Sequence, residues 1–428
     1  MASASQRDSG QLPGVISFRG VMVLGPMVRV STLPLRLLAL EQGADLVWTE
    51  EMVAKKVAPC ARIVNLRLNT IEFYDRRAPW TRVWQTCAAE KTRVVFQLGA
   101  STPEDAVAAA KVVEKDVAAF CLNMGCPKEF SVKSGMGAAL LNTPQQAASI
   151  IRALKHACPA QPVVAKIRML NSTENTVALM RCLEDAGASA LTVHCRHVTQ
   201  RSSEPAHRAE LRKLVAAVTI PVLGNGDIIE SAEAQKWRLE SGCAGVMVAR
   251  QAAENPSCFR AEGRLAQSEM ILLHLEKCVE YEDVYQNIKY YYNHFFSRVC
   301  VPGSDLFVGI ADAKSRREIA AIFDRNEYYD AFETSRGCGS SVEEAGWWKG
   351  DKTHTEYKDY LAYLALSASV AGANDRIGVG EKREREPQRD VGDRGSGGRD
   401  AKVFQCKACA GTFVSRNALF KHMRSAAH

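Results

Sequence analysis

Val117-Ala118-Ala119-Phe120-Cys121-Leu122-Asn123-Met124 followed by Gly125-Cys126-Pro127 is a largely apolar run that stops abruptly in three special residues. The run reads as a strand covered on both faces, the pattern of a parallel sheet. Glycine reaches backbone angles closed to other residues, and proline fixes the chain just past the thiol. Cys126 is therefore expected on a stiff loop at a strand's C-terminal end. A cysteine there is either a small buried hydrophobe or a chemical group on display, and this stretch alone leaves both open.

Seven neighbouring runs have the same character: Val21–Leu24, Asp45–Thr49, Val94–Leu98, Val163–Met169, Ala190–Arg196, Pro221–Asn225 and Gly245–Arg250. With Ala118–Met124 they make eight. Helix-start signals lie between them, including Ser101-Thr102-Pro103-Glu104, Thr143-Pro144 and Asn171-Ser172-Thr173-Glu174. Eight βα units predict a (β/α)₈ TIM barrel of α/β class over residues 21–255, with its active site at the strand C-termini. A doubly wound open sheet is the alternative, but it calls for a Gly-rich phosphate turn after the first strand, where this chain has Gly25-Pro26-Met27. Alternating apolar residues in Cys60–Tyr74 predict a β-hairpin inserted beside the active-site mouth.

Beyond the barrel, Met270–Tyr292, Ser315–Phe323 and Tyr357–Val370 read as helices of a smaller domain, residues 256–372, interrupted by a Gly/Ser-rich stretch from Ser335 to Gly350. Arg298, Lys314, Arg316 and Arg317 there are either solvated helix charges or groups facing a phosphate backbone. Residues 373–400 carry many charges and no apolar periodicity, so a disordered linker is expected, as is a flexible N-terminus over residues 1–20.

The 428 residues are 46% hydrophobic, enough for a sizeable core, and no apolar run is long enough to span a membrane. The 14 cysteines are scattered, which fits reduced thiols better than a disulfide framework. A polar, Ser-rich start without an apolar leader segment leads us to expect a cytoplasmic protein, and a monomer. The net charge of +7 is unevenly spread: from Lys402 onward there are five basic side chains (Lys402, Lys407, Arg416, Lys421, Arg424) and no acid. A grip on a polyanion is expected in that tail.

Within the barrel, strand parity places Lys166 with Arg168, and His194 with Arg196, on inward faces near strand ends. Burying four such groups without partners costs several kcal/mol each, in order of magnitude, and so implies an anionic partner. Gly224-Asn225-Gly226-Asp227 and Val248-Ala249-Arg250 end the last two strands, where barrels cradle phosphate with backbone N–H groups. Together these features point to a phosphorylated cofactor such as FMN.

The stretches Gly25-Pro26-Met27-Val28-Arg29, Val95-Phe96-Gln97-Leu98-Gly99, Leu122 to Pro127, Val164-Ala165-Lys166-Ile167-Arg168, Val193-His194-Cys195-Arg196, Asn225-Gly226-Asp227 and Met247-Val248-Ala249-Arg250 resemble, in order, the motifs of the tRNA-dihydrouridine synthases. The resemblance covers roughly Val21 to Phe332. Thr32-Leu33-Pro34 and Gly135 to Leu141 make it most similar to the eukaryotic branch that acts on U20 of the D-loop.

The resemblance implies an FMN held by Pro26, Met27, Gln97, Lys166, His194, Asn225, Gly226, Asp227, Ala249 and Arg250. It further implies NADPH or NADH as reductant and tRNA as substrate, with hydride delivered to C6 of a flipped-out uracil and a proton given to C5 by Cys126. Asn123 and Arg196 would lie on the substrate side, and residues 256–372 would bind tRNA. The chain departs from the family at Gly25, where relatives commonly have Ala, and at Cys195, where they commonly have Gly. That second change is expected to add bulk near the site. A flavin barrel reducing a free pyrimidine and a catalytically inactive RNA-binding barrel are the competing readings.

In the tail, residues 401–428, Cys406 and Cys409 are followed by His422 and His428 at the spacing of a C₂H₂ zinc finger, with Phe413 and Leu419 at core positions. We expect Zn²⁺ there. The long His–His spacing resembles fingers that bind double-stranded RNA.

Overall fold

In chain order the strands are β1 (Met22–Leu24), β2 (Leu46–Trp48), β3 (Met52–Val53), β4 (Cys60–Asn65), β5 (Thr70–Asp75), β6 (Thr81–Thr86), β7 (Val94–Gly99), β8 (Ala119–Met124), β9 (Val163–Met169), β10 (Ala190–His197), β11 (Val222–Asn225) and β12 (Gly245–Val248). This computed structural model describes residues 16–77, 81–296 and 298–335, with the backbone of 404–405 and 412–413. Eight of the strands pair in parallel in the order β2-β1-β12-β11-β10-β9-β8-β7, and β7 pairs back with β2. The sheet is thus a closed (β/α)₈ barrel, and β3 adds a short ninth strand against β7.

The pleat explains both the core and the site. Alternate residues Val23, Leu46, Trp48, Val95, Ala119, Cys121, Val164, Ala190, Leu223 and Met247 fill the barrel interior, with Phe18 and Val21 joining them from the chain entering β1. Two residues further along the same faces stand Gln97, Asn123, Lys166 and Asn225, and on β10 His194. One periodicity therefore gives a dry interior and a polar mouth. The opposite strand faces pack under the surrounding helices in a second, larger apolar cluster. Thr102 and Ser172 cap two of those helices, Pro103–Val113 and Thr173–Asp185, by accepting hydrogen bonds from the N–H groups of Asp105 and Asn175.

Three expectations need correction. The final barrel strand stops at Val248, and Arg250 opens the helix Arg250–Glu254. The insertion after β2 is a three-stranded antiparallel sheet, β4-β5-β6, in which Thr81–Thr86 completes the hairpin. Trp84 of that third strand stacks on Phe73 at 5.0 Å and meets Phe96 edge-on at 4.7 Å, so the added strand ties the insertion to the barrel. Met270–Tyr292 is two helices, Gln267–Glu280 and Tyr285–Phe295. Glu282 turns the chain through a left-handed φ of 49°, which ends the first helix; the Asp283 carboxylate accepts from the N–H of Val284 at 2.8 Å, and the second helix begins at Tyr285.

The insertion also braces the helical segment. Arg82 Nη2 donates to the carbonyl of Glu282 at 2.6 Å, and Gln85 Nε2 donates to that of Tyr281 at 3.0 Å. Asp283, buried and with its carboxyl raised by desolvation, accepts from Thr32 Oγ1 at 2.9 Å at the start of the helix Leu33–Glu41.

Residues Gly372–His428 form a separate unit. In it β13 (Phe404–Gln405) pairs antiparallel with β14 (Thr412–Phe413). Cys406, Cys409, His422 and His428 lie outside the described residues, as do the linker, the N-terminal 1–15, the Gly/Ser-rich stretch after Ser335 and the helix expected at Tyr357–Val370. Among the described residues no helix is long and apolar enough to cross a membrane.

Candidate active site

At the C-terminal end of the barrel lies a cleft of about 970 Å³, in the range of small-molecule and cofactor sites. Pro26, Met27, Gln97, Asn123, Cys126, Lys166, His194, Arg196, Asn225, Gly226, Asp227, Ala249 and Arg250 all line it. Every barrel residue that the sequence singled out is therefore brought to one surface.

The thiol loop is built from its neighbours. Asn123 Oδ1 accepts from the N–H groups of Gly125 (3.0 Å) and Cys126 (3.2 Å), which leaves its Nδ2 as the donor toward the cleft. Arg168 Nε donates to the Gly125 carbonyl at 2.9 Å, and its Nη1 to the carbonyl of His197 at 3.0 Å. Arg168 thus clamps the loop to the end of β10. Gly125 does not take a positive φ, contrary to the expectation from its type; the left-handed glycines are Gly135 and Gly137 further on. Gly137 carries the steric constraint, since a Cβ there would lie 2.7 Å from the Cys126 carbonyl oxygen and 2.4 Å from Ser131 Oγ. Burial, then the charge of Glu51, pushes the Cys126 thiol up to about 11. It is a protonated acid at neutral pH.

Burial, then Arg168, pushes the Lys166 ammonium down to about 8. No carboxylate pairs with it among the described residues. His194 is driven to about 2, by burial first and then by Lys166, so the imidazole is neutral. Its Nε2 lies 3.3 Å from Arg196 Nη1. A guanidinium only donates, so Nε2 accepts and Nδ1 carries the hydrogen.

Arg196 departs from the expected arrangement. A bulge between His194 and His197 carries it past the regular register, and its Nη2 reaches both oxygens of Asp227 at 2.5 Å. Of the four inward groups, then, Arg196 is neutralised by the chain itself, whereas Lys166 and Arg168 have no carboxylate partner among the described residues. Asp227 also accepts from Arg250 at 3.0 Å and from the N–H of Ala206 at 2.9 Å. Burial would raise this carboxyl, but the Arg196 hydrogen bond, that N–H and the two arginine charges outweigh it and hold it below the usual range.

Cys195 points away from the cleft into the packing outside the barrel, where burial lifts its thiol to about 12. Its bulk does not enter the site.

Four contributors had no clear signal in the sequence. Arg208 donates to the carbonyls of Gly226 (3.0 Å) and Asp227, pairs with Glu233 at 2.6 Å and lies over the Trp237 ring at 5.0 Å. It engages both carbonyls of the turn, so the turn's carbonyl charge is answered from behind. Glu51 lines the cleft from the segment between β2 and β3, beside the end of β7. Tyr290 and Phe295 reach it from the helix Tyr285–Phe295, so the helical segment supplies an aromatic wall.

The cleft therefore has a hydrogen-bonding floor of Gln97, Asn123 and Asn225, a half-buried Lys166 and its neighbour Arg168 without carboxylate partners, and one protonated thiol on a fixed loop. That donor set fits a polar, anionic group, which Gln97, Lys166 and Asn225 would hold.

The family model described as dihydrouridine synthase (Dus) matches residues 23–335. The chain is 39% identical over 291 residues to a Schizosaccharomyces pombe protein named tRNA-dihydrouridine(20) synthase [NAD(P)+], a match covering 65% of this chain and 60% of that one. A Saccharomyces cerevisiae protein of the same name is 32% identical over 330 residues, covering 72% and 84%. A human tRNA-dihydrouridine(20a/20b) synthase [NAD(P)+]-like protein is 30% identical over 242 residues, covering 56% and 70%. The chain thus spans about three fifths of the length of the fission-yeast relative.

Proposed function

Because the chain belongs to the dihydrouridine synthase family, we propose that it is an FMN-dependent enzyme that uses NADPH or NADH to reduce the C5–C6 bond of uridine 20 in the D-loop of tRNA. The position rests on the relatives named for U20. The observation that carries the chemistry is a protonated Cys126 thiol lining the same cleft as a half-buried Lys166 that no carboxylate pairs among the described residues.

Gln97, Lys166, Asn225 and the turn Asn225-Gly226-Asp227 would hold the FMN, with Arg250, Ala249, Pro26 and Met27 at its edges. When bound, FMN supplies the hydride. Lys166 brings a positive charge to the cofactor face and excludes a second cation there. Neutral His194 offers its Nδ1 hydrogen without adding charge. Asn123, with its oxygen committed to the loop, has only its amide hydrogens to offer, which suits a uracil carbonyl. Hydride arrival at C6 leaves negative charge on the ring, and the Cys126 S–H bond breaks as the C5–H bond forms.

The tail is read as a C₂H₂ zinc finger with Cys406, Cys409, His422 and His428 as ligands. Its support is the ligand spacing and the antiparallel pairing of β13 with β14, which lie before and after the two cysteines. Its five basic residues suit RNA, and it would tether the enzyme to its substrate.

The test is to incubate the purified chain with FMN, NADPH and unmodified tRNA and map dihydrouridine by position. Conversion at position 20 is expected. Cys126→Ala should keep its flavin spectrum and lose at least about 100-fold in rate, the scale of a lost general acid. Full turnover by that variant would remove the assigned acid, and conversion of free nucleotides but not tRNA would replace the substrate.

A further inference from the structure

β3 is two residues long, a ninth strand that an eight-stranded barrel does not need. It pairs with the end of β7, Met52 with Leu98 and Val53 with Gly99. Its effect is to fix the residue just before it, Glu51. Gly99 leaves room for that side chain, since a Cβ on Gly99 would lie 2.8 Å from Glu51 Oε1. Ser131 Oγ donates to the same oxygen at 2.8 Å. Ser131 in turn crowds the thiol loop at Gly137, where an added Cβ would lie 2.4 Å from Ser131 Oγ and 3.1 Å from the Cys126 Cβ. The carboxyl is therefore held from two elements, and its other oxygen, Oε2, is buried with no hydrogen-bond partner. A buried acceptor left open is costly unless a donor comes to it. Cys126 lines the same cleft as Glu51, its S–H is the proton donor on that side of the loop, and the Glu51 charge, after burial, is what raises the thiol.

We propose that Glu51 is the positioning residue of the acid: its carboxyl receives the Cys126 S–H, holds the thiol in its protonated form, and returns a solvent-derived proton to the sulfur after each turnover. The inference rests on Cys126 being the proton donor of the proposed reaction. In that reaction the S–H bond breaks, C5–H forms and a thiolate is left beside a carboxylate. Two like charges at that distance favour recapture of a proton, which enters from water through Glu51. The other charged groups facing the thiol are Lys128 on its own loop and Lys166 and Arg168 on β9. All three are cations that favour thiolate. Glu51 is the group that opposes them.

The test reads the thiol directly. The FMN-loaded protein is alkylated with iodoacetamide from pH 6.5 to 10 and the Cys126 peptide is quantified, for wild type, Glu51→Gln and Glu51→Asp. Glu51→Gln should alkylate about tenfold faster than wild type at pH 8, with the midpoint moved to lower pH, because thiolate is the reacting species. Glu51→Asp should stay close to wild type. If Glu51→Gln does not retain flavin, Ser131→Ala, which frees one carboxyl oxygen, should show a smaller shift in the same direction. Superimposable profiles for wild type and the folded variant overturn the proposal. A shifted profile in a protein that makes no dihydrouridine would support the Glu51–thiol pairing while removing the reaction assigned to the site.

Discussion

Burial and the neighbouring Arg168 hold Lys166 near 8, which makes its charge depend on pH in the range where the protein is handled. The sign follows from which form an anion prefers. Below about 8 the ammonium is charged and attracts FMN; above it the free site loses that charge, and binding must first restore it. FMN affinity should therefore fall as pH rises through 8, by up to about tenfold per unit. Lys166→Gln should bind weakly at every pH and show a flatter profile, as measured by fluorescence titration of the flavin-stripped protein. A wild-type profile level to pH 10 would mean that Lys166 does not face the cofactor. The inward positions of Lys166 and His194 were legible from strand parity alone, whereas Asn123 and Asn225 were picked out by the strand-end motifs and the family resemblance. Glu51 and Arg208 were not legible, because each acts from a loop whose path is set by tertiary packing: Glu51 by the pairing of β3 with β7, Arg208 by Trp237 and Glu233. The pairing of Arg196 with Asp227 was hidden for a related reason. A bulge breaks the two-residue period on which parity reasoning depends.

Among the elements, the loop from Gly125 to Gly137 shows why a glycine's presence does not reveal its purpose. Gly125 looked like the conformational hinge beside the thiol, yet its φ is not positive and an added Cβ would meet nothing nearer than 3.5 Å, at Arg168 Cγ. Gly137, twelve positions along, has a φ of 58° and a Cβ position 2.4 Å from Ser131 Oγ and 2.7 Å from the Cys126 carbonyl oxygen. Gly125→Ala should cost less than about 1 kcal/mol, whereas Gly137→Ala should cost about 2–3 kcal/mol through backbone strain and overlap. Urea unfolding of the two variants compares them directly, and equal losses would contradict the loop geometry. Because the overlap falls on both Ser131 and Cys126, Gly137→Ala should also impair dihydrouridine formation at temperatures where it remains folded. The longer elements were easier to read than this loop. The eight barrel strands announce themselves by apolar runs, while the third strand of the insertion, Thr-Arg-Val-Trp-Gln-Thr, has polar side chains at both ends and follows residues without apolar alternation. The break at Glu282 and Asp283 was likewise masked by helix-compatible residues on either side, since nothing in the residue type of Glu282 announces its left-handed φ of 49°.

For the whole molecule, the barrel and helical segment account for the cleft, and the charge distribution bears on where the proposed tRNA substrate would be gripped. Arg317 is already paired with Asp330 at 2.7 Å, Arg316 donates to the Asp283 carbonyl, and Lys289 to that of Ala313. These cations are engaged within the helical segment, whereas Arg298 and Lys314 are exposed there; the acid-free sequence from Lys402 to His428 adds five further basic side chains. Removing it separates catalysis from capture. A chain ending at residue 400 should keep its flavin and its rate at saturating tRNA, since no residue assigned to the cleft is lost. Its affinity for tRNA should fall, and the dependence of that affinity on salt should flatten by roughly 0.7–0.9 in log–log slope for each phosphate contact removed. The full chain should carry one zinc per molecule by elemental analysis, and Cys406→Ser should lose both the zinc and the affinity of the tail. Unchanged affinity and salt slope after truncation would move RNA capture to the barrel and helical segment. Loss of affinity without any zinc in the full chain would keep the basic tail as the grip and discard the finger.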